Sequence, residues 1–378
     1  MNLLDPGITT PCLVVEQRKL EANAERLRQR FAGSGVAHRP HLKTVKCLEA
    51  ARCALPSATG PATVSTLREA EEFGRAGITD LMYAVGIAPQ KLDRVRSLRE
   101  SGIDLKIIVD NVAGAKAIAA YAREHHHPIP TLVEIDVDDH RSGVAPGDHD
   151  TLLVVARALD RGDCLAGVMT HAGESYGLSD PVALRAAAEQ ERLSMAKVAA
   201  TLREAGLPCE TVSIGSTPTA LSLMNTTGIT EIRAGVYLFF DLCQAGIGVC
   251  DVDDIALSVL TTVIGHQRNK CWTICDAGWM ALSADRSTAS QTVDQHFGVV
   301  CDAYGRPLDD LVVVRASQEH GVIAARPGRS VEVPHLAVGT RLRILPNHAC
   351  ATAAQHGEYQ VVDGGLEIRQ TWARFGGW

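Results

Sequence analysis

The sequence predicts an α/β protein with a (β/α)8 TIM barrel and a C-terminal antiparallel β domain. Two observations predict this fold. Short apolar, β-branched runs alternate with helical patterns from about residue 17 to 240, and eight such runs fit one closed barrel. The pattern then changes to alternating Val-rich runs separated by Gly, Pro and Asp. We therefore expect a barrel domain over residues 17–240 and a β domain over residues 241–378.

The expected elements follow in chain order. A strand-like run at residues 11–15 precedes the barrel, and residues 1–16 are expected to join the β domain. Gly77, Gly102 and Gly206 stand where barrel helices should end. The barrel strands are expected near residues 36–39, 62–65, 81–85, 106–109, 131–136, 166–170, 211–214 and 231–233. The runs of the β domain lie near residues 255–263, 311–314 and 340–345.

Composition and charge narrow the class of protein. The formal charge of −7 is spread along the chain, and only 4% of residues are aromatic, which argues against nucleic-acid binding. No stretch approaches the ~20 apolar residues of a membrane span, and the start does not resemble a signal peptide. Eleven cysteines without a CxxC pair indicate reduced thiols. We expect a soluble, cytoplasmic enzyme with no nucleic-acid or membrane partner.

Polar residues follow several of the expected barrel strands, where the reactive groups of such barrels lie. Lys43 follows the first strand, and weak hydration in a barrel mouth would favour Schiff-base chemistry, although a surface lysine fits the position too. Arg141 follows the fifth strand and is suited to a cofactor oxygen or a carboxylate. His171 follows the sixth strand and is suited to hydrogen bonding or to stacking on a ring. Each is equally well explained as a structural polar group.

The turn at residues 215–219 reads Gly-Ser-Thr-Pro-Thr and precedes an apolar run. Its backbone N–H groups, the hydroxyls of Ser216 and Thr217, and the dipole of the helix that follows would suit a phosphate. The alternative is an ordinary helix N-cap. The turn follows the seventh strand and lies beside Gly235 after the eighth, which is the usual phosphate position in these barrels. We therefore predict a phosphate site at this turn.

His348 and Cys350 are separated by one residue, so both side chains point to the same side if the segment is extended. Imidazole and thiolate are a suitable pair of metal ligands, whereas a core cysteine beside a polar histidine is the alternative. Two protein ligands leave coordination positions for water or substrate. A metal bound here would therefore be catalytic.

Together these motifs resemble the fold-type III pyridoxal-phosphate enzymes, the alanine racemase-like group that contains D-threonine aldolase and D-serine dehydratase. The resemblance covers essentially the whole chain. It implies that Lys43 carries pyridoxal 5′-phosphate, that Lys43 and His171 are catalytic, and that His348 and Cys350 bind Mg²⁺, Mn²⁺, Co²⁺ or Zn²⁺. It also implies a homodimer. The further cofactor-binding residues that it implies are Arg141, His171, Tyr176, Ser216, Thr217, Gly235, Val236 and Tyr237. The motifs that carry it are residues 39–44, 63–71, 134–143, 170–173, 215–219, 233–237, 276–280, 318–321 and 345–350.

Within this group the aldolases carry His-x-Asp at the metal position and the dehydratases carry His-x-Cys, so Cys350 favours a dehydratase. Several stretches look most like D-threo-3-hydroxyaspartate dehydratase, a lyase that forms oxaloacetate and ammonia. The expected substrate is therefore a small β-hydroxy D-amino acid. The alternatives are a D-serine dehydratase that forms pyruvate and ammonia, and an aldolase acting on D-threonine or 3-hydroxy-D-aspartate. A non-enzymatic pyridoxal-phosphate-binding homeostasis protein would lack the second domain.

Overall fold

The computed structural model describes residues 1–139, 141–329 and 334–378, and it divides into two compact units. The barrel unit contains residues 26–43, 54–235 and 377–378, and the β unit contains residues 1–25, 44–53 and 236–376. Three stretches therefore belong to the β unit although we expected them in the barrel, namely residues 17–25, 44–53 and 236–240. His140, in the loop expected after the fifth barrel strand, lies outside the described residues.

The described ranges contain seventeen strands and eleven α-helices. The strands are β1 (Cys12–Glu16), β2 (Ala37–Pro40), β3 (Ala62–Val64), β4 (Asp80–Gly86), β5 (Asp104–Val109), β6 (Thr131–Ile135), β7 (Leu165–Thr170), β8 (Thr211–Ile214), β9 (Glu231–Ala234), β10 (Leu257–Gln267), β11 (Trp272–Cys275), β12 (Val299–Cys301), β13 (Pro307–Ala316), β14 (Gly321–Ala325), β15 (Arg341–Leu345), β16 (Glu358–Val362) and β17 (Ile368–Ala373). The helices are α1 (Gln17–Arg30), α2 (Leu48–Ala54), α3 (Leu67–Arg75), α4 (Leu92–Glu100), α5 (Val112–Glu124), α6 (His149–Asp160), α7 (Pro181–Glu204), α8 (Thr217–Ser222), α9 (Leu242–Ile247), α10 (Trp279–Leu282) and α11 (Ala349–Ala353).

The barrel unit is built on a parallel sheet of eight strands in the order β2-β9-β8-β7-β6-β5-β4-β3. A parallel bridge between His41 and Thr63 joins the two ends of this order, which closes the barrel. All eight predicted strands are present, and helices separate most of them as the alternating pattern predicted. The carboxyl ends of the strands therefore gather at one face of the barrel, where the predicted reactive residues follow them.

Glycines end the barrel helices as the sequence predicted. Gly77, Gly102 and Gly206 have φ angles of +88°, +95° and +74°, and each stands within two residues of the last residue of α3, α4 or α7. A left-handed residue at this position satisfies the last carbonyl groups of a helix, and glycine adopts it without a Cβ clash. These stops fix where each chain segment turns back towards the sheet.

The β unit contains one sheet of nine strands. Strand β10 pairs antiparallel with both β15 and β11, so the six strands β10, β11, β14, β13, β12 and β15 form a closed ring. Strand β1 pairs antiparallel with β10 but parallel with β16, so the sheet contains one parallel pairing where we expected antiparallel pairing alone. The buried Arg343 and Glu16 form an ion pair of 2.6 Å between β15 and β1.

No disulfide links the eleven cysteines, all of which fall within the described ranges. This agrees with the prediction of reduced thiols. Among the described residues, no helix combines the length and apolar character that crossing a membrane requires.

Candidate active site

Lys43 lies in the turn that follows β2 in the barrel unit, and its side chain is half-buried. Backbone hydrogen bonds hold this turn on both sides, from His41 N–H to the Ala234 carbonyl at 2.7 Å and from Leu42 N–H to the Thr63 carbonyl at 2.8 Å. Burial, and then the charge of Lys43, hold the pKa of His41 well below its usual value. The lysine that the sequence singled out is therefore part of a buried electrostatic cluster.

His171 follows β7 and belongs to the same cluster. Its Nδ1 lies 3.4 Å from the carbonyl oxygen of Gly215, which can only accept a hydrogen bond, so the proton of the neutral ring is on Nδ1. Burial holds the pKa of His171 well below its usual value, and the charges of Lys43, Arg141 and Arg233 lower it further. The ring is therefore neutral and its Nε2 is a hydrogen-bond acceptor.

Tyr176 has its aromatic ring close to the imidazole of His171, with ring centroids 6.2 Å apart and planes inclined by 47°. It lies in a short 3-10 turn over residues 174–177, in the loop after β7. The sequence implied Tyr176 by resemblance alone, and the structure brings it to the neighbourhood of His171.

Arg141 follows β6, and its guanidinium lies 3.9 Å from the carboxylate of Glu134. The Ser142 hydroxyl donates to the second oxygen of that carboxylate at 3.3 Å. Burial raises the pKa of Glu134, and the charge of Arg141 opposes this shift. The Arg141 side chain remains about half exposed at 49%, so its guanidinium is accessible to a ligand as well as to Glu134.

Sequence reasoning missed Arg233 as a member of this cluster. Arg233 is buried near the end of β9 and donates to the Ser213 hydroxyl at 2.8 Å and to the carbonyl oxygen of Thr170. Its charge contributes to the lowered pKa of both His41 and His171. The sequence did contain a signal for Arg233. It is a charged residue in a short strand that the barrel must bury, and a buried charge requires partners inside the barrel.

The predicted phosphate turn follows β8. Gly215 has a φ of +124°, and a Cβ on it would lie 2.2 Å from the Arg233 carbonyl oxygen, so this position requires glycine. The amide N–H of Gly215 donates to Glu191 Oε1 at 2.8 Å, and the amide N–H of Ser216 donates to Thr219 Oγ1 at 3.0 Å. Two of the N–H groups expected to bind phosphate are thus used within the chain.

A helix opens at this turn, as predicted: α8 begins at Thr217, and Ser216 is its N-cap, which is the structural role that the sequence analysis gave as the alternative to phosphate binding. The helix has only six residues, so its dipole is weaker than the prediction supposed. The hydroxyl-bearing side chains of Ser216 and Thr217, both buried, are then the distinctive polar groups of the turn. Their neighbour Ser175 lies 2.9 Å from Ser216, measured between the two hydroxyl oxygens.

The three remaining predicted cofactor residues follow β9 directly. Gly235 is the last residue of that segment of the barrel unit, and Val236 and Tyr237 begin the next segment of the β unit. Val236 and Tyr237 lie in a short 3-10 turn over residues 236–238, and both are buried.

The chemistry of the barrel mouth fits pyridoxal 5′-phosphate. The positive charges of Lys43, Arg141 and Arg233 act on the imidazole of His171, and those of Lys43 and Arg233 also act on His41. Such a cluster favours an anion, and a phosphate ester carries about two negative charges near neutral pH. The amine needed for a Schiff base belongs to the same cluster.

His348 and Cys350 lie in the β unit, and the segment that carries them is not a continuous extended strand, which was the condition for the predicted geometry. His348 is the N-cap of α11, and Cys350 is in the first turn of this five-residue helix. The two side chains nevertheless interact, because the charge of Cys350 acts on the imidazole of His348 and raises its pKa. Burial lowers the pKa of His348, but the charges and hydrogen bonds of Cys350 and Asp285 outweigh it and raise this pKa to about 11.

Asp285, which the sequence did not single out, orients the His348 ring. Its Oδ2 lies 2.7 Å from Nδ1 of His348, so Nδ1–H donates to the carboxylate and Nε2 is the ring atom suited to a metal. The buried carboxylate of Asp241 accepts the N–H of Ala349 at 2.9 Å and fixes the start of α11. A carboxylate behind a ligating histidine is the usual outer layer of a metal site.

Cys350 contacts the residue that directly follows Lys43 in the chain. The distance between Cys350 Sγ and the Thr44 hydroxyl oxygen is 3.2 Å, and Thr44 is buried. In the described part of the chain, no group of three or more His, Cys, Asp and Glu side chains is arranged to hold a metal ion. The imidazole of His348 and the thiol of Cys350 are donor types that suit a divalent metal, and a metal held by these two alone would keep several positions for water or substrate.

Comparisons with known proteins identify the family of both regions. The family described as "Alanine racemase, N-terminal domain" matches residues 15–242, and the family described as "Putative serine dehydratase domain" matches residues 256–362. D-threo-3-hydroxyaspartate dehydratase of Delftia sp. (strain HT23) is 50% identical over 376 residues, which is 98% of each chain. D-serine dehydratase of Dictyostelium discoideum is 29% identical over 382 residues, with 96% of this chain and 95% of that protein covered.

Solved structures agree with this assignment. The Delftia dehydratase superposes with a TM-score of 0.95 at 50% identity, with 100% of both chains covered. A cysteine-to-alanine variant of D-threo-3-hydroxyaspartate dehydratase in the metal-free form superposes equally well, with a TM-score of 0.95 at 49% identity and the same full coverage of both chains. The chain therefore belongs to the family of fold-type III pyridoxal-phosphate enzymes that contains D-threo-3-hydroxyaspartate dehydratase and D-serine dehydratase.

Proposed function

We propose that the protein is a pyridoxal-phosphate- and divalent-metal-dependent lyase that dehydrates D-threo-3-hydroxyaspartate to oxaloacetate and ammonia. One observation carries the proposal: Asp285 lies 2.7 Å from Nδ1 of His348 and orients its ring, so that His348 and Cys350 form the His-x-Cys ligand pair that dehydratases of this family carry. The 50% identity to an enzyme of that name supports the substrate.

In this proposal Lys43 carries the cofactor, and Arg141, His171, Tyr176, Ser216, Thr217, Gly235, Val236 and Tyr237 hold it. When bound, pyridoxal phosphate supplies an electron sink that acidifies the Cα–H of an attached amino acid. The Lys43 amine lies beside the imidazoles of His41 and His171, and as the cofactor-bearing amine it is the group we assign to accept the Cα proton. His171 keeps its own proton on Nδ1 and offers Nε2 as an acceptor.

His348 and Cys350 would hold the divalent metal, with Asp285 fixing the imidazole and Thr44 contacting the sulfur. A divalent cation bound there supplies Lewis acidity that helps the β-hydroxyl group leave. The family relatives support these two ligands, because the variants of D-threo-3-hydroxyaspartate dehydratase with known structures replace a histidine and a cysteine separated by one residue. Thiolate and imidazole suit zinc, while water and substrate oxygens suit magnesium, manganese or cobalt.

Other functions within the family are distinguished by the bond that breaks at Cβ. A D-serine dehydratase would use the same His-x-Cys pair, and the relative from Dictyostelium has that activity in its name. An aldolase breaks the Cα–Cβ bond, and Cys350 argues against it. A pyridoxal-phosphate homeostasis protein would lack the β unit, which spans more than a hundred residues here. The proposal also includes a homodimer, which sedimentation analysis of the active enzyme tests.

A panel of β-hydroxy D-amino acids tests the function. The metal-loaded enzyme is incubated with D-threo-3-hydroxyaspartate, D-serine and D-threonine, and ammonia, oxo acid and aldehyde are measured for each. We expect ammonia and oxo acid from D-threo-3-hydroxyaspartate at the highest kcat/KM. A higher kcat/KM for D-serine would show that the substrate assignment is wrong and favour a D-serine dehydratase. Aldehyde as the main product would show that the reaction is an aldol cleavage.

A further inference from the structure

Glu191 on α7 is a buried carboxyl group behind the turn at residues 215–217. Its side chain is 1% exposed, and its Oε1 accepts the amide N–H of Gly215 at 2.8 Å. The other oxygen, Oε2, is buried and has no hydrogen-bond partner among residues 1–139, 141–329 and 334–378. Glu191 is thus hydrogen-bonded directly to Gly215, the first residue of the turn, through Oε1, while Oε2 has no partner among the described residues.

The surroundings of Glu191 disfavour its charged form. Burial is the largest effect and raises the pKa of Glu191 to about 7. The Thr219 hydroxyl on α8, the Gly215 N–H and the charge of Arg233 on β9 act in the opposite direction, in that order of size, whereas Asp138 in the loop after β6 acts in the same direction as burial. An ionised carboxylate with a desolvated, unpaired oxygen costs more free energy than the neutral acid, so the geometry and the direction of the shift agree.

The position of Gly215 in the turn is fixed from two sides, by Glu191 and by the backbone of Arg233. On the opposite side of Gly215, the Arg233 carbonyl oxygen would lie 2.2 Å from any Cβ. Glu191 Oε1 accepts the Gly215 N–H whether the carboxyl group is neutral or ionised, because protonation at Oε2 leaves Oε1 an acceptor. The hydrogen bond that holds the turn is therefore compatible with either charge state, and only the charge itself changes.

We propose that Glu191 is the positioning residue of this turn and that it takes up a proton from solvent when the cofactor phosphate binds. This inference rests on the proposed function, in which the turn at residues 215–217 receives the phosphate. A dianionic phosphate near an ionised Glu191 would be repelled, and protonation of Glu191 removes the repulsion while keeping the hydrogen bond to Gly215. Cofactor affinity should then fall as pH rises above about 7, where the cofactor-free protein has lost this proton.

The test measures proton uptake by the apoprotein. Pyridoxal 5′-phosphate and pyridoxal, which lacks the phosphate, are each titrated at pH 8 by calorimetry in two buffers with different ionisation enthalpies. Because both ligands react with Lys43, the difference between them isolates the phosphate. We expect pyridoxal 5′-phosphate to take up about one proton more than pyridoxal, as one linked ionisation requires.

Two variants assign this proton. Glu191→Gln keeps the acceptor oxygen and removes the titration, so we expect it to abolish the extra uptake and to bind pyridoxal 5′-phosphate up to about tenfold more tightly than the wild type at pH 8. Glu189→Gln is the matched control, since Glu189 lies on the same helix but its side chain is 42% exposed and is paired with Arg192 at 2.6 Å. This control should retain the uptake of the wild type.

The possible failures are distinguishable. If the wild type does not bind pyridoxal 5′-phosphate through Lys43, the proposed function fails. If it binds the cofactor but takes up the same number of protons with both ligands, the inference about Glu191 is overturned. Retention of the extra uptake in a folded Glu191→Gln variant overturns it as well. Should that variant not fold, the wild-type comparison of the two ligands still decides the question.

Discussion

Replacement of Asp285 by asparagine separates the orientation of His348 from its presence. The carboxylate lies 2.7 Å from Nδ1 of His348, and asparagine preserves the size of the side chain and an acceptor oxygen. It removes the negative charge that stabilises the imidazole when Nε2 binds a cation. The perturbation therefore leaves both proposed ligands, His348 and Cys350, in place and changes only the group behind one of them.

The expected magnitude follows from the geometry. Loss of an outer-shell partner of a ligating histidine weakens metal binding by about 10–100-fold, or about 1.4–2.7 kcal/mol. The Asp285 side chain is 32% exposed, so solvent screens part of its charge. We therefore expect a loss near the lower end, about tenfold, for Asp285→Asn.

Cobalt titration of the metal-free protein measures this change, because a cobalt–thiolate bond also gives an absorption band that reports on Cys350. Asp294→Asn is the control. Its side chain is 33% exposed and accepts from Arg286 at 2.6 Å, and its carboxylate is not bonded to His348. The reasoning is refuted if Asp285→Asn binds cobalt as tightly as the wild type, or if Asp294→Asn loses as much affinity as Asp285→Asn.

Substitutions at four further positions have definite expected outcomes. Lys43→Ala should abolish turnover and the absorbance of the lysine-bound cofactor with an unchanged far-ultraviolet circular dichroism spectrum; retention of that absorbance would contradict the assignment. Arg141→Ala should weaken cofactor binding by about 1.5–3 kcal/mol, measured by equilibrium dialysis. Cys350→Ala should lose cobalt affinity and elimination together, whereas Cys350→Asp should regain metal binding and release some aldehyde. Gly215→Ala places a Cβ 2.2 Å from a carbonyl oxygen at a φ of +124°, so we expect a loss of about 1–3 kcal/mol in denaturant unfolding.

The barrel was predictable because its signals are local. Apolar runs of strand length, helical periodicity and glycine stops recur in each βα unit, and the observed strands match the expected ones closely, as with residues 166–170 and β7. The closure of six strands in the β unit and the parallel pairing of β1 with β16 were not predictable. They depend on pairing between residues far apart in the chain, which periodicity does not specify.

Some residues of the candidate site were likewise predictable from local sequence signals, and others were not. Lys43, Arg141 and His171 were found because each follows a strand end, and His348 and Cys350 because of their spacing. Glu191, Arg233 and Asp285 are buried or partly buried, and their partners Gly215, Ser213 and His348 are distant from them in the sequence. Charged residues of this kind look like ordinary polar positions until the fold shows what they face.

The convergence of His348 and Cys350 was expected for an incorrect reason. Alternation along a strand was the stated basis, whereas the structure uses a helix N-cap and the first turn of α11. A five-residue helix is too short for its periodicity to be recognised from the sequence.

The most direct test of the central claim is product analysis by NMR of D-threo-3-hydroxyaspartate incubated with the enzyme, before and after removal of divalent metal by a chelator. We expect oxaloacetate and ammonia in equal amounts with metal present, and neither product after chelation, while the absorbance of the lysine-bound cofactor is unchanged. Glyoxylate and glycine as products, or full dehydration by the metal-free protein, would contradict the account.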